Sequence, residues 1–189
     1  SNGNIQVYGT DAQFSDSHFY TNFGIFFRHA DNYKDGDNET VVFSQFQKMN
    51  TYLNLGFQPS KNHIFEATFI YDLATNVGYP ALNMDVKKAE GIIGAVTYRH
   101  ESMEGFFNRW ETKLYTNRIV HIMDDTKRPN VEIHMNMPGR SHTSGLYSLL
   151  EGSQGIHRYN FNYDLYYNNL FADMTMYPGD NPPMYMLTW

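Results

Sequence analysis

Apolar and polar residues alternate with period two along much of the chain. After His157, the odd positions are Tyr159, Phe161, Tyr163, Leu165 and Tyr167, and the even ones are Arg158, Asn160, Asn162, Asp164 and Tyr166. Met49, Thr51, Leu53, Leu55 and Phe57 alternate in the same way with Asn50, Tyr52, Asn54, Gly56 and Gln58. The pattern recurs less cleanly over residues 64–73 and 92–100. Successive side chains of a strand point to opposite faces, so each segment predicts a strand with one apolar and one polar face. Few apolar residues recur at helical spacing without also fitting the shorter period, and no amphipathic helix is expected. The predicted fold class is all-β, an antiparallel up-and-down meander of about eight or nine strands.

The breaks between strands are of two kinds. Compact turn signals stand at Ser15-Asp16-Ser17, Pro59-Ser60-Lys61-Asn62, Ser102-Met103-Glu104-Gly105 and Gly152-Ser153-Gln154-Gly155. Long irregular stretches fall between them, near residues 30–40, 75–88, 122–140 and 169–183. Alternating short and long connections are the asymmetry of an outer-membrane β-barrel, with tight turns on the periplasmic side and long loops outside the cell. On that reading the apolar face meets lipid and the polar face lines the lumen. Phe19, Tyr20, Trp110, Tyr159, Tyr166 and Tyr167 are candidates for interfacial aromatic girdles. Alternating aromatic strands also build soluble lipocalin-like barrels, jelly rolls and sandwiches. A soluble fold has no physical reason to keep its long loops at one end, so the asymmetry favours the membrane barrel.

Composition narrows the picture. The 189 residues allow one domain over 1–189, and aromatic residues make up 16% of the chain although its mean hydropathy is polar. Strands with one wet face have this composition. Fourteen basic against 20 acidic residues, with no basic block, give a formal charge of −6 and argue against nucleic acid as a partner. Cysteine is absent, which excludes disulfides, thiolate metal sites and a cysteine nucleophile. No basic-then-apolar leader stands at Ser1, so any secretion signal is expected to have been removed or to lie upstream. No window approaches the ~20 apolar residues of a membrane-spanning helix.

Three ordered motifs carry a family resemblance. The first is Gly78-Tyr79-Pro80-Ala81-Leu82-Asn83-Met84-Asp85. The second is His121-Ile122-Met123-Asp124-Asp125 followed by Arg128-Pro129. The third is the Met-rich stretch before Ser141-His142-Thr143-Ser144-Gly145-Leu146. Together they resemble TonB-dependent receptors assigned to the uptake of copper and related metal complexes, with their Tyr-Pro-Ala-Leu-x-Met-Asp and Val-Asp-His-x-Met-Asp-Asn signatures. This chain has Ile119-Val120 before the histidine and Asp125 where the family has Asn. The resemblance implies a central wall section of a 22-stranded barrel in the bacterial outer membrane. The parent would also carry a plug domain, absent here, through which the TonB complex supplies energy. It implies outer-membrane lipid and a metal or metal chelate as further partners. Tyr185, Leu187 and Trp189 also alternate up to a terminal aromatic, as in the closing strand of a complete small barrel. That barrel, or a soluble β-domain binding partners through its loops, is the alternative. Free strand edges could also pair with a second copy.

The candidate chemistry is soft. Ten methionines are present, most of them expected in or beside the long loops: Met84, Met123, Met135, Met137, Met174, Met176, Met184 and Met186. Thioether and imidazole suit copper, above all the cuprous ion. The metal candidates are His134, Met135, Met137, His121, Met123 and Met84, with His134-Met135-Asn136-Met137 the sharpest group. The competing role for these methionines is to fill irregular apolar gaps. Copper is cargo on this reading, and no cofactor is required. Asp85, Asp124 and Asp125 are expected to be solvated, and His18, His29, His63, His100 and His157 to face the polar side. No nucleophile elbow, phosphate loop or metalloprotease helix occurs. Ser141 and His142, adjacent on a strand, point to opposite faces, so no enzyme is expected.

Overall fold

The computed structural model describes residues 2–179 and 181–187. A short 3-10 turn at Asn2–Asn4 precedes nine strands. These are β1 (Gln6–Ser15), β2 (Phe19–Ala30), β3 (Phe46–Ser60), β4 (His63–Val77), β5 (Asp85–Glu101), β6 (Phe107–Asp124), β7 (His134–Gln154), β8 (His157–Tyr177) and β9 (Met184–Leu187). They form one sheet in sequential order, every neighbour antiparallel. Among the described residues β1 and β9 do not pair, so the sheet is open and not the closed small barrel of the alternative. Leu187 ends β9, and Trp189 lies outside the described residues.

Short turns and long loops alternate as expected. The chain reverses at residues 16–18, 61–62, 102–106 and 155–156, and makes longer excursions at 31–45, 78–84, 125–133 and 178–183. Gly155, at φ 62°, supplies the left-handed residue that the two-residue turn after β7 needs. The strands run further into the long-loop side than the sequence pattern predicts. Residues 85–88, 122–124, 134–140 and 169–177 belong to strands, not to loops. Cross-strand bonding overrides their weak alternation: Met123 pairs with Met137, and Pro138 is tolerated inside β7 because the β8 ladder is interrupted there.

The register divides the sheet cleanly into two faces. Phe23, Leu53, Phe69 and Gly94 stand opposite one another in turn, as do Phe65, Tyr98, Thr112 and Ser148. This face is apolar and uncovered: Val96 is 56% exposed, Leu114 58% and Leu165 57%. The other face carries Asn22, Asn54, Thr68, Lys113 and Asp164, whose alternation with the first set is the period read in β3 and β8.

On the polar face a ladder of alternating charge crosses four strands. Arg99 bonds Glu66 (3.4 Å) and Glu111 (2.9 Å), and Arg109 bonds Glu111 (2.8 Å) and Glu151 (2.8 Å). Tyr20 donates to Glu66. On this face aromatic rings also lie flat over glycines of the neighbouring strand. A Cβ at Gly56 would stand 2.0 Å from the Tyr20 ring, and one at Gly145 2.3 Å from the Tyr115 ring. We predict that Gly145→Val expels Tyr115 and destabilises the sheet by about 1–3 kcal/mol through overpacking. Gly91→Val, whose Cβ would meet only Asp72 at 3.9 Å, serves as the control in denaturant unfolding of the lipid-reconstituted protein. Equal midpoints for the two variants would refute the ring-over-glycine account.

Aromatic rings line the short-turn rim of the apolar face. Phe65 stands 4.9 Å from Tyr98, which meets Trp110 edge-on at 5.5 Å. Phe14 and Phe19, and Phe106 and Tyr159, continue the row on either side. Phe19, Trp110 and Tyr159 therefore stand at the rim of the apolar face. Tyr20 does not, because it faces the polar side, and Tyr166 and Tyr167 fall in the middle of β8. Four of the histidines expected on the polar side stand on the apolar face by register: His29, His63, His100 and His157. His63 stacks on His100 at 4.2 Å and bonds the Tyr98 hydroxyl. A rim position accepts any flat ring with a polar tip, so alternation alone does not exclude histidine there.

Candidate metal centre

The best-buried part of the molecule lies at the long-loop end and is ionic. Asp85, Asp124 and Asp125 are 5%, 6% and 1% exposed, not solvated as their loop positions imply. Arg128 accounts for Asp85. Its Nε donates to Asp85 Oδ2 (3.0 Å) and its Nη2 to the Tyr79 carbonyl (3.0 Å), and its guanidinium lies 3.7 Å over the Phe43 ring. One side chain of the 125–133 loop thereby joins the 78–84 and 31–45 loops. A Cβ at Gly78 would stand 2.3 Å from the Phe43 carbonyl oxygen, so glycine is what lets these two loops touch. Asp124 accepts from Thr126 (2.9 Å) and pairs with Lys87 (3.3 Å). Asp125 takes the Met135 amide (2.8 Å) and faces His134 Nδ1 (3.0 Å).

This hub fixes where β7 begins, and so which residues meet across β6 and β7. His121 stands opposite Gly139, and Met123 opposite Met137. All four share the polar face with Asn117 and Lys113, by the two-residue period of both strands. Directly opposed residues have Cβ atoms about 4.5–5.5 Å apart, within reach of flexible thioethers. Gly139 leaves the imidazole of His121 an unobstructed side. Further along the face Met135 opposes Met176, Met176 opposes Met184, and Met174 opposes Met186. The β7 to β8 register is the same on both sides of the Pro138 interruption, which sets Met137 level with Met174. Apart from Met84, the methionines expected in loops therefore lie on strands, as a ladder from β6 to β9.

The six metal candidates divide. His121, Met123, Met135 and Met137 come together on the polar face. His134 points the other way from Met135 and is held by Asp125. Met84 is 9% exposed inside the loop hub, where its carbonyl accepts from Arg128. Among the described residues no group of three or more His, Asp or Glu could hold a metal ion. The donor set that remains is one imidazole with several thioethers, which fits a soft cation and not a hard one. Ser141 and His142 stand on opposite faces, the latter bonded to Thr116 (3.1 Å), and form no nucleophile–base pair. Sequence reasoning missed the structural role of Arg128; the signal was its place in the second motif, three residues after Asp125.

No family model and no curated protein matches the sequence. Among solved structures the chain is similar to the copper transporter OprC, with a TM-score of 0.76 at 18% sequence identity. The likeness covers 96% of this chain and 32% of that one, so the chain spans about a third of the length of the structure it matches. At this identity what the two share is the fold: an all-β meander of antiparallel strands.

Proposed function

We propose that this chain is a wall section of an outer-membrane transport barrel of the TonB-dependent type, which imports copper or another soft metal complex. The observation that carries the reading is the division of the sheet. One face is exposed and apolar across eight strands, and the other bears His121, Met123 and Met137 just beneath the long loops. A water-soluble protein rarely leaves an apolar patch above a few hundred Å² uncovered, which disfavours the soluble β-domain. Strands of 15 to 21 residues from β3 to β8 exceed the 9–11 residues that cross a bilayer. Their surplus projects on the long-loop side and carries the methionine ladder with it. The resemblance of the three motifs and the transporter-like fold support the same conclusion, and energy transfer through a plug belongs to the parent protein.

In the cargo path, thioethers and one imidazole take a cuprous ion without a charged ligand, so it is held softly and can be passed along the ladder. The hub of Asp85, Arg128 and Asp125 keeps β6 and β7 in the register that assembles these donors. Among the described residues β9 covers only residues 173–176 of β8. The rest of that edge is a template for a further strand, from the same polypeptide or from a second copy.

The membrane reading has a direct test in paired substitutions. We predict that Leu114→Arg on the apolar face costs about 2–4 kcal/mol in lipid, as charge does at the bilayer midplane. Adjacent Lys113→Leu on the polar face should cost under about 1 kcal/mol, the usual scale of an exposed substitution. Unfolding of the intact protein from lipid vesicles measures both. Equal costs would mean that the two faces meet the same solvent, and the reading would fail.

A further inference from the structure

The apolar face has a basic exception. Lys88 on β5, Arg118 on β6 and Arg140 on β7 share that face by register: Arg118 opposes Ile92 and His142, Val120 opposes Glu90 and Arg140, and Lys88 opposes Ile122. Two of these cations hold one carboxylate, with Lys88 Nζ 2.7 Å and Arg118 Nη1 3.6 Å from Glu90. Glu90 is well covered at 14%, whereas Arg118 is 55% exposed. Arg140 is exposed and has no ion-pair partner among the described residues. Asp173 of β8 shares this face two residues beyond Phe171, the partner of Arg140, so in this patch three cations stand against two carboxylates on a face otherwise built for hydrocarbon.

Its height is defined by the aromatic rim. At roughly 3.4 Å per residue, about 34 Å of β6 separates Trp110 from Val120, the level of Arg140. With the usual strand tilt of about 40° this is about 26 Å along the membrane normal, close to the ~25 Å apolar band of such barrels. The basic patch therefore stands at the opposite interface from the aromatic rim, on the long-loop side. Directly below it the surface is hollowed. A groove of about 410 Å³ runs over Ala67, Gly94 and Thr116 between Leu53, Phe69 and Leu114. Thr116 and Arg118 are successive residues of β6 on this face, so the groove opens at the foot of the patch.

Resting on the membrane reading above, we propose that this surface binds a phosphorylated lipid of the outer leaflet. Its headgroup phosphate sits on Arg118, Arg140 and Lys88, and one acyl chain lies in the groove over Gly94 and Ala67. Arginine forks match phosphate oxygens in pairs, and at a low-dielectric interface such contacts are only weakly screened. Glu90 holds Lys88 and Arg118 in place and leaves Arg140 free for the ligand. Small residues beneath flanking Leu and Phe make the channel that a chain can fill, which a flat apolar wall does not provide.

The test reconstitutes the intact protein into phosphatidylcholine nanodiscs and adds lipid A, either bearing its two phosphates or enzymatically dephosphorylated. Retention of each lipid is quantified by mass spectrometry. The wild type should retain the phosphorylated form about tenfold over the dephosphorylated one. R118Q/R140Q should abolish that preference, and the polar-face control K48Q/K113Q should keep it. Equal retention of the two lipids by the wild type, or an undiminished preference in R118Q/R140Q, overturns the proposal. Flotation of the same protein with phosphatidylcholine vesicles keeps the two readings apart. Protein that floats without phosphate preference loses only the lipid site, whereas protein that does not float loses the membrane reading and the lipid site with it.

Discussion

Replacing Met123 and Met137 together by leucine is expected to weaken cuprous-ion binding by the intact protein about 100-fold, or ~2.7 kcal/mol. The two residues oppose each other across β6 and β7, beside His121. Leucine keeps nearly the same volume and apolar character, so the sheet should lose little stability. What disappears is a pair of polarizable sulfur donors. Met84→Leu provides the contrast, because Met84 is 9% exposed within the loop hub and away from the ladder; its affinity should match wild type. Titration against a competing cuprous chelator measures all three proteins. Unchanged affinity in the double variant, or an equal loss in Met84→Leu, would remove the polar-face centre from the account.

Arg128→Ala should have the largest structural effect. It strands the Asp85 carboxylate at 5% exposure and removes the cation that lies over Phe43. Removing one partner of a buried ion pair costs about 3–5 kcal/mol, most of it from the uncompensated charge left behind. The cost falls on the loops, because the strands below are held by their own ladders. Loops 31–45, 78–84 and 125–133 should separate, with new tryptic cleavage at Lys34 and Lys127 while the strand core stays resistant. Arg128→Met combined with Asp85→Asn removes both charges and should recover part of the protection. A cleavage pattern in Arg128→Ala identical to wild type would mean that the loops are joined by something else.

What could be read from the sequence depended on how local its cause was. The faces of β3 and β8 follow from alternation within each strand, and the four short turns follow from their turn residues. Strand ends on the long-loop side were not legible, because residues 134–140 and 169–177 pair through partners distant in sequence. Asp85 shows the same limit. Its neighbours Met84 and Val86 say nothing about a guanidinium that arrives from Arg128 in another loop. The metal candidates were legible by residue type but not by grouping. Only the register sets Met137 opposite Met123, and strand parity turns His134 away from Met135.

The central claim, a strand wall with lipid on one side and water on the other, is tested most directly along β6. The chain contains no cysteine, so single cysteines at successive positions from Thr112 to Arg118 can each carry a nitroxide label in the lipid-reconstituted protein. Collision rates with oxygen, which concentrates in lipid, and with a water-soluble nickel chelate are then measured at each site. The account predicts opposite period-two profiles, with oxygen access highest at Leu114 and Thr116 and chelate access highest at Lys113, Tyr115 and Asn117. Chelate access at every position, or profiles without the two-residue period, would contradict it.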